Sequence, residues 1–175
     1  MTEFSRLFRL DTLAAEPRSV HIEAEPAERS PLAARFELVA VESLAAEARL
    51  SRRGEAVVAD GTLRARVTQS CIATADPVEA KIEEAFRIEF RPPPDGRAEE
   101  EIELGEDELD VVFYEGGAID LGEAVAQTLA LSLDPYPRSP AAEAALREAG
   151  VKSEEEARAE SSPFARLRGL KGEAE

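Results

Sequence analysis

The chain has 175 residues, 43% of them hydrophobic and 33% charged, which suits one domain of ~100–200 residues with a core and solvated charged segments. Trp is absent and aromatics make up 5%, so the core must rest on Leu, Val, Ile, Ala and Phe. The formal net charge of −16 argues against a large direct nucleic-acid interface, because phosphate binding depends on Lys and Arg that displace counterions.

Phe4 to Leu10 is short and apolar enough for an edge strand, and Val20, Ile22 and Ala24 share one face of a second strand that Pro26 ends. Ser30-Pro31 predicts a helix start, since Ser accepts from a free amide and Pro suits the first turn. That helix would carry an apolar stripe of Leu32, Phe36 and Val39 or Ala40. A strand follows over Val41 to Leu50 with a weak face preference, then a turn at Arg52 to Glu55. Asp60-Gly61 reads as a tight turn. Beyond it Leu63, Ala65 and Val67 alternate with Arg64, Arg66 and Thr68, the pattern of a half-buried strand.

Asp76-Pro77 marks another turn. The next strand carries Val78, Ala80 and Ile82, then Phe86, Ile88 and Phe90, and the interruption at Glu83-Glu84 predicts a bulge. Pro92-Pro93-Pro94 stops pairing. Leu109 to Tyr114 is a further strand closed by Gly116-Gly117. From Asp120 the period becomes helical, with Leu121, Val125, Leu129 and Leu133 on one stripe. Asp120 and Glu123 have capping-box spacing, and Pro135 and Pro137 end the helix. Ser139-Pro140 opens a last helix that Gly150 terminates. Strands followed by helices predict an α+β fold: an antiparallel sheet of about five to seven strands packed with two to four helices, plus a C-terminal tail. The expected organisation is one α+β domain over 1–150, and a polar linker with a short amphipathic basic tail over 151–175.

Charge is unevenly placed. Ten basic and eleven acidic residues lie up to Ile72, eleven basic and twenty-six acidic after it. Asp95 to Asp110 holds nine acids and one base. Burying unpaired carboxylates is very costly, so this block is expected to be a solvated loop or acidic lip. Its functional reading is a docking surface for a basic partner, carried by Glu99, Glu100, Glu101, Glu106, Asp107, Glu108 and Asp110. In the tail, Phe164, Leu167 and Leu170 recur every three residues beside Arg166, Arg168 and Lys171. Apolar anchors beside bases can dock on RNA or in a protein groove, or fold back on their own domain.

Catalytic chemistry is thinly represented. His21, the one histidine, falls in a strand, and Cys71 has no activator visible in sequence. No phosphate-cradling glycine motif occurs. The acidic block could hold Mg²⁺ for a nuclease, but consecutive Glu in a loop do not converge from rigid elements. No catalytic residue, metal site or cofactor is therefore assigned. Arg64 and Arg66, with Arg52-Arg53, form a local basic cluster that contacts phosphate or pairs with neighbouring strand carboxylates. A single cysteine excludes an internal disulfide. No signal-like run opens the chain and no stretch nears ~18 apolar residues, so a soluble cytoplasmic protein without membrane contact is expected.

Cys71 to Pro77, Gly117 to Pro137 and Ser162 to Lys171 are three separated pieces that resemble one family, the YceD-like large ribosomal RNA subunit accumulation proteins. Cys71-Ile-Ala-Thr-Ala-Asp-Pro77 is similar to the family's Cys-x-Arg-Cys-Leu-x-Pro turn before a strand such as Val78 to Phe90. Asp120-Leu121, running through the helix to Pro135-Tyr-Pro137, resembles its Ile-Asp-Leu, helix, Leu-x-Leu-Pro-x-x-Pro core. Ser162-Pro-Phe164-Ala-Arg-Leu167 to Lys171 resembles its closing Asn-Pro-Phe-Ala-x-Leu-Lys-x-Leu. The order matches from about Val67 onward. Ala73 and Thr74 depart from the pattern, standing where many members have Arg and a second Cys. One thiolate cannot make a four-ligand structural zinc site, so Cys71 reads as a small, buried residue at a strand end.

The resemblance implies a non-enzymatic role in accumulation, processing or assembly of large-subunit ribosomal RNA. The implied partner is a ribosomal protein or a pre-ribosomal large subunit, with direct RNA contact secondary and no DNA. The alternatives are a metal-dependent ribonuclease acting on the precursor and an acidic protein-binding module with no ribosomal role.

Overall fold

A computed structural model describes residues 3–93 and 110–152. Seven strands and three α-helices make the α+β fold that the order of patterns predicts: β1 (Leu7–Arg9), β2 (Arg18–Glu23), α1 (Pro26–Arg35), β3 (Ala40–Arg53), β4 (Ala56–Ser70), β5 (Pro77–Arg91), β6 (Asp110–Phe113), β7 (Ala118–Asp120), α2 (Leu121–Ser132) and α3 (Ala142–Glu148). Five strands form the main sheet in the order β2-β3-β4-β5-β6, and β1 pairs with β7 in a separate two-stranded sheet.

Three long strands dominate because their alternation is sustained. On β4, Leu63, Ala65 and Val67 are buried while Arg64 and Arg66 are exposed. In register with them, Leu44, Ala46, Ala48 and Leu50 of β3 and Phe86, Ile88 and Phe90 of β5 fill the same face. That row settles the face of β3 that its own sequence left open. Leu32 and Ala33 of α1, and Leu121, Val125 and Leu129 of α2, join the same core together with Phe4 and Ile119. Each fully buried Leu, Ile, Val or Phe contributes ~1.5–3 kcal/mol. The architecture is thus two layers, with helices on one face and a polar second face.

Four readings need correction. The Asp60-Gly61 pair is not a turn: β4 runs straight through it, with Gly61 opposite Ala48 on one side and Phe86 on the other. A Cβ on Gly61 would lie 2.3 Å from the Glu47 carbonyl oxygen and 2.8 Å from Ala48 Cα. Glycine is there because the β3 backbone comes too close for any side chain. Nor is there a bulge at Glu83-Glu84, since β4 and β5 stay in unbroken register from Val57↔Phe90 to Ser70↔Pro77. Val78 to Phe90 share one parity throughout, and Glu84 is simply an exposed acid in the core-facing row. The register shift that does occur lies in β3, between Val41 and Ser43.

The first helix starts at Pro26, not at Ser30-Pro31, and ends before the expected stripe is complete. The Glu28 carboxylate accepts the Glu25 N–H at 2.7 Å, which fixes the earlier start, and Pro31 is carried inside the helix. Phe36 is half-buried and Val39 exposed. At α2, Asp120 caps as expected by accepting the Glu123 N–H at 3.1 Å. The capping box is not completed, because the Glu123 carboxylate binds Arg35 and Gln127 instead. One edge of the main sheet, β6 on β5, is parallel, and its other pairings are antiparallel.

Among the described residues no helix is long and apolar enough to cross a membrane. The sequence after residue 152 lies outside the described residues.

Candidate functional site

Three of the family-motif residues, Cys71, Pro77 and Pro137, meet at one end of the sheet. β4 ends at Ser70 and the chain turns through Cys71 to Asp76 before β5 begins at Pro77. The turn closes on itself: the Cys71 N–H donates to the Asp76 carbonyl at 2.8 Å and the Ala75 N–H to the Cys71 carbonyl at 2.9 Å. The segment after α2 then packs against it. The Ile72 N–H donates to the Pro137 carbonyl at 3.0 Å, the Gln69 amide donates to the Asp134 carbonyl at 2.8 Å, and the Ser139 N–H donates to Cys71 Sγ at 3.3 Å. Pro137 is buried and Pro135 exposed.

A hydroxyl network fills the centre. Thr74 Oγ1 donates to the Asp76 carboxylate at 2.6 Å and lies 3.1 Å from Ser139 Oγ, which itself donates to the same carboxylate at 3.2 Å. Thr74, with its one hydroxyl proton, gives Asp76 a hydrogen bond that a thiol in its place would make weakly. Cys71 is buried, as its strand-end position suggests. Its thiol pKa is pushed down to about 6 by the Ser139 N–H, then by the Thr74 hydroxyl, with burial opposing. That activation comes from a residue far along the chain, so no local signal could show it. Among the described residues no three metal-binding side chains gather.

Asp120 and Leu121 serve the opposite role, pinning the N-terminal segment. Asp120 Oδ1 accepts the Arg6 N–H at 2.8 Å, and Oδ2 accepts the Ser5 hydroxyl at 2.6 Å. Leu121 is fully buried. Sequence reasoning marked Asp120 as a cap and missed this second task and the short strand β7, whereas β1 falls within the edge strand expected over Phe4 to Leu10.

The charged candidates divide. Asp110 is exposed at the start of β6. Glu99, Glu100, Glu101, Glu106, Asp107 and Glu108 lie outside the described residues, as do Phe164, Arg166, Leu167, Arg168, Leu170 and Lys171 of the tail. Within the basic cluster Arg64 is paired, to Glu83 at 3.0 Å and Glu47 at 4.0 Å. Among the described residues Arg66 reaches only Ser43 Oγ, at 3.5 Å. Arg52 is spent on the Gly54 and Leu10 carbonyls. His21 is exposed on β2 opposite Glu47.

No curated protein and no solved structure matches the chain. A family model described as large ribosomal RNA subunit accumulation protein YceD matches residues 59–171, which takes in most of β4 and all of the Cys71 turn, β5 and α2. The convergence of Cys71, Pro77 and Pro137 falls inside that match, and the chain belongs to the YceD family.

Proposed function

We propose that the protein is a non-enzymatic assembly factor for the large ribosomal subunit, acting by docking on a basic ribosomal protein or on the protein-rich surface of a precursor particle. The family's description supplies the role in large-subunit ribosomal RNA accumulation. The observation that carries the mechanism is the charge: −16 overall, with twenty-six acids against eleven bases after Ile72. A field of that sign attracts cationic polypeptides and repels phosphodiesters. The acidic stretch from Glu99 to Asp110 is the proposed docking surface, and Phe164, Leu167 and Leu170 with their neighbouring bases are a second contact.

Arg64 supports this reading, because its guanidinium is already neutralised by Glu83 and Glu47. The alternative reading, a metal-dependent ribonuclease, draws its ligands from the acidic stretch. Such an enzyme would cleave precursor RNA with Mg²⁺ and lose that activity when Glu106, Asp107 and Asp110 become amides.

The decisive experiment is an affinity pull-down from growing cells with and without ribonuclease treatment. Partners retained after treatment, and released as salt rises, support a protein contact. Partners lost on treatment overturn it, as would salt-resistant binding of the purified protein to naked RNA.

A further inference from the structure

β6 covers only the last turn of its neighbour, pairing with Ile88 to Arg91 of β5. Among the described residues no strand lies along Pro77 to Arg87 on the side away from β4. Among the described residues these eleven have no strand partner on that side, and their outward row of backbone N–H and C=O groups is a template for another strand. The side chains flanking that row are not inert. Val78, Ala80 and Ile82 are half-buried, and Leu131 of α2 is 83% exposed. Leu131 lines a notch with Glu84 and Phe86 at the same edge.

We propose that this free edge pairs with the same edge of a second copy, antiparallel about a two-fold axis at Ile82, joining two five-stranded sheets into one. Ile82 is the midpoint of the free stretch, so this register uses all of it, Pro77 facing Arg87 of the other copy. A two-fold perpendicular to the sheet keeps core-facing residues opposite core-facing residues. On the polar face Lys81 then meets Glu83 of the other copy, and Glu83 meets its Lys81. On the helical face Ile82 meets its own copy and Val78 meets Phe86.

Neighbouring registers are poorer. Centring on Lys81 opposes two lysines and sets Glu79 against Glu83. Centring on Glu83 or Glu84 opposes two like acids. Like charges directly opposite destabilise a strand pair. Centring on Ala80 keeps unlike charges opposed but leaves Glu84 to Arg87 unpaired. Glu84, an acid on the core-facing row, blocks an indiscriminate strand; in the Ile82 register it faces the methyl of Ala80. Leu131 beside Glu84 and Phe86 then finds Val78 and Ala80 of the other copy. Charge complementarity along the edge is what selects this chain as its own partner.

Sedimentation of the full chain across a concentration series tests this. The expected species is a reversible dimer. Lys81→Glu alone and Glu83→Lys alone should each raise its dissociation constant roughly tenfold or more, since two attractive pairs become repulsive. An equimolar mixture of the two variants should dimerise again, because every pair is then unlike. Independently, Ile82→Cys should cross-link to its own copy under mild oxidation and Glu84→Cys should not. A protein that stays monomeric, with or without hydrogen-exchange protection of 77–87 by its own chain, overturns the proposal. So does a dimer indifferent to the charge variants, or a mixture that fails to recover.

Discussion

The backbone amide of Ser139 donates to the sulfur of Cys71 across a sequence separation of 68 residues. The contact binds the turn between β4 and β5 to the segment that follows α2, both inside the span that matches the family. Around it, Thr74, Asp76 and Ser139 share a closed set of hydrogen bonds, so the motif residues act as a structural clasp.

Removing one member of that clasp should be felt as a stability loss. Ser139 is 7% exposed, and Ser139→Ala deletes its bonds to Asp76 and Thr74 while leaving Thr74 on Asp76. The expected cost is about 1–2 kcal/mol, read from urea unfolding. Thr74→Val should cost a similar amount, and the double variant less than the sum, because the two hydroxyls share partners. Strict additivity would show that the network is not a unit.

The thiol should make stability depend on pH in a defined direction. Its folded pKa of about 6 lies below the ordinary 9.0, so the folded state favours thiolate. That contribution is fully present above the unfolded thiol range and is lost as pH falls through about 6. The stability of the wild type relative to Cys71→Ser should therefore grow between pH 6 and pH 9. A difference that stays flat over that interval would remove the thiolate from the account.

Sequence patterns recovered what is periodic and missed what depends on a distant neighbour. The stripe of Leu121, Val125 and Leu129 and the alternation of Leu63, Ala65 and Val67 needed only local spacing to be read. Asp60-Gly61 misled because its local preference for a turn is overridden by pairing on both sides, to β3 and to β5. β7 has three residues, too few for any period to show, whereas β1 lies within the apolar run from Phe4 to Leu10 that reads as an edge strand. At the candidate site, Cys71 was placed correctly at a strand end. Its partner Ser139, and Pro137 that accepts from the neighbouring Ile72, come from the segment after α2, and a linear pattern cannot show that two pieces touch.

Gly61 should be intolerant of even a methyl group. The added Cβ would meet backbone atoms of Glu47 and Ala48 at 2.3 and 2.8 Å, and backbone in the middle of a sheet cannot move aside. Gly61→Ala is expected to cost at least about 2 kcal/mol. Gly117→Ala is the control: nothing lies within 4 Å of its Cβ, and its effect should stay within about 0.5 kcal/mol. Equal melting temperatures for the two variants would contradict the close approach of β3 and β4.

Arg35 should hold the two main helices together in a way that acid undoes. Its guanidinium ends α1 and grips Glu123 in the first turn of α2 through two bonds of 2.6 and 2.8 Å, with Glu3 at 3.0 Å. The bond from Arg35, then that from Gln127, holds the Glu123 carboxyl below its usual range against the effect of burial. A lowered folded pKa means stability that is complete above the unfolded carboxylate value of ~4.3 and disappears as pH falls through the folded one. Arg35→Met keeps the aliphatic stem and loses the clamp. It should cost about 1 kcal/mol at neutral pH, and the gap to wild type should close in acid, below pH ~4. Denaturation midpoints of the two proteins measured from neutral pH downward decide it: parallel acid limbs would mean that Arg35 acts by packing on Phe36, whose ring centre lies 5.3 Å away, and not by its charge.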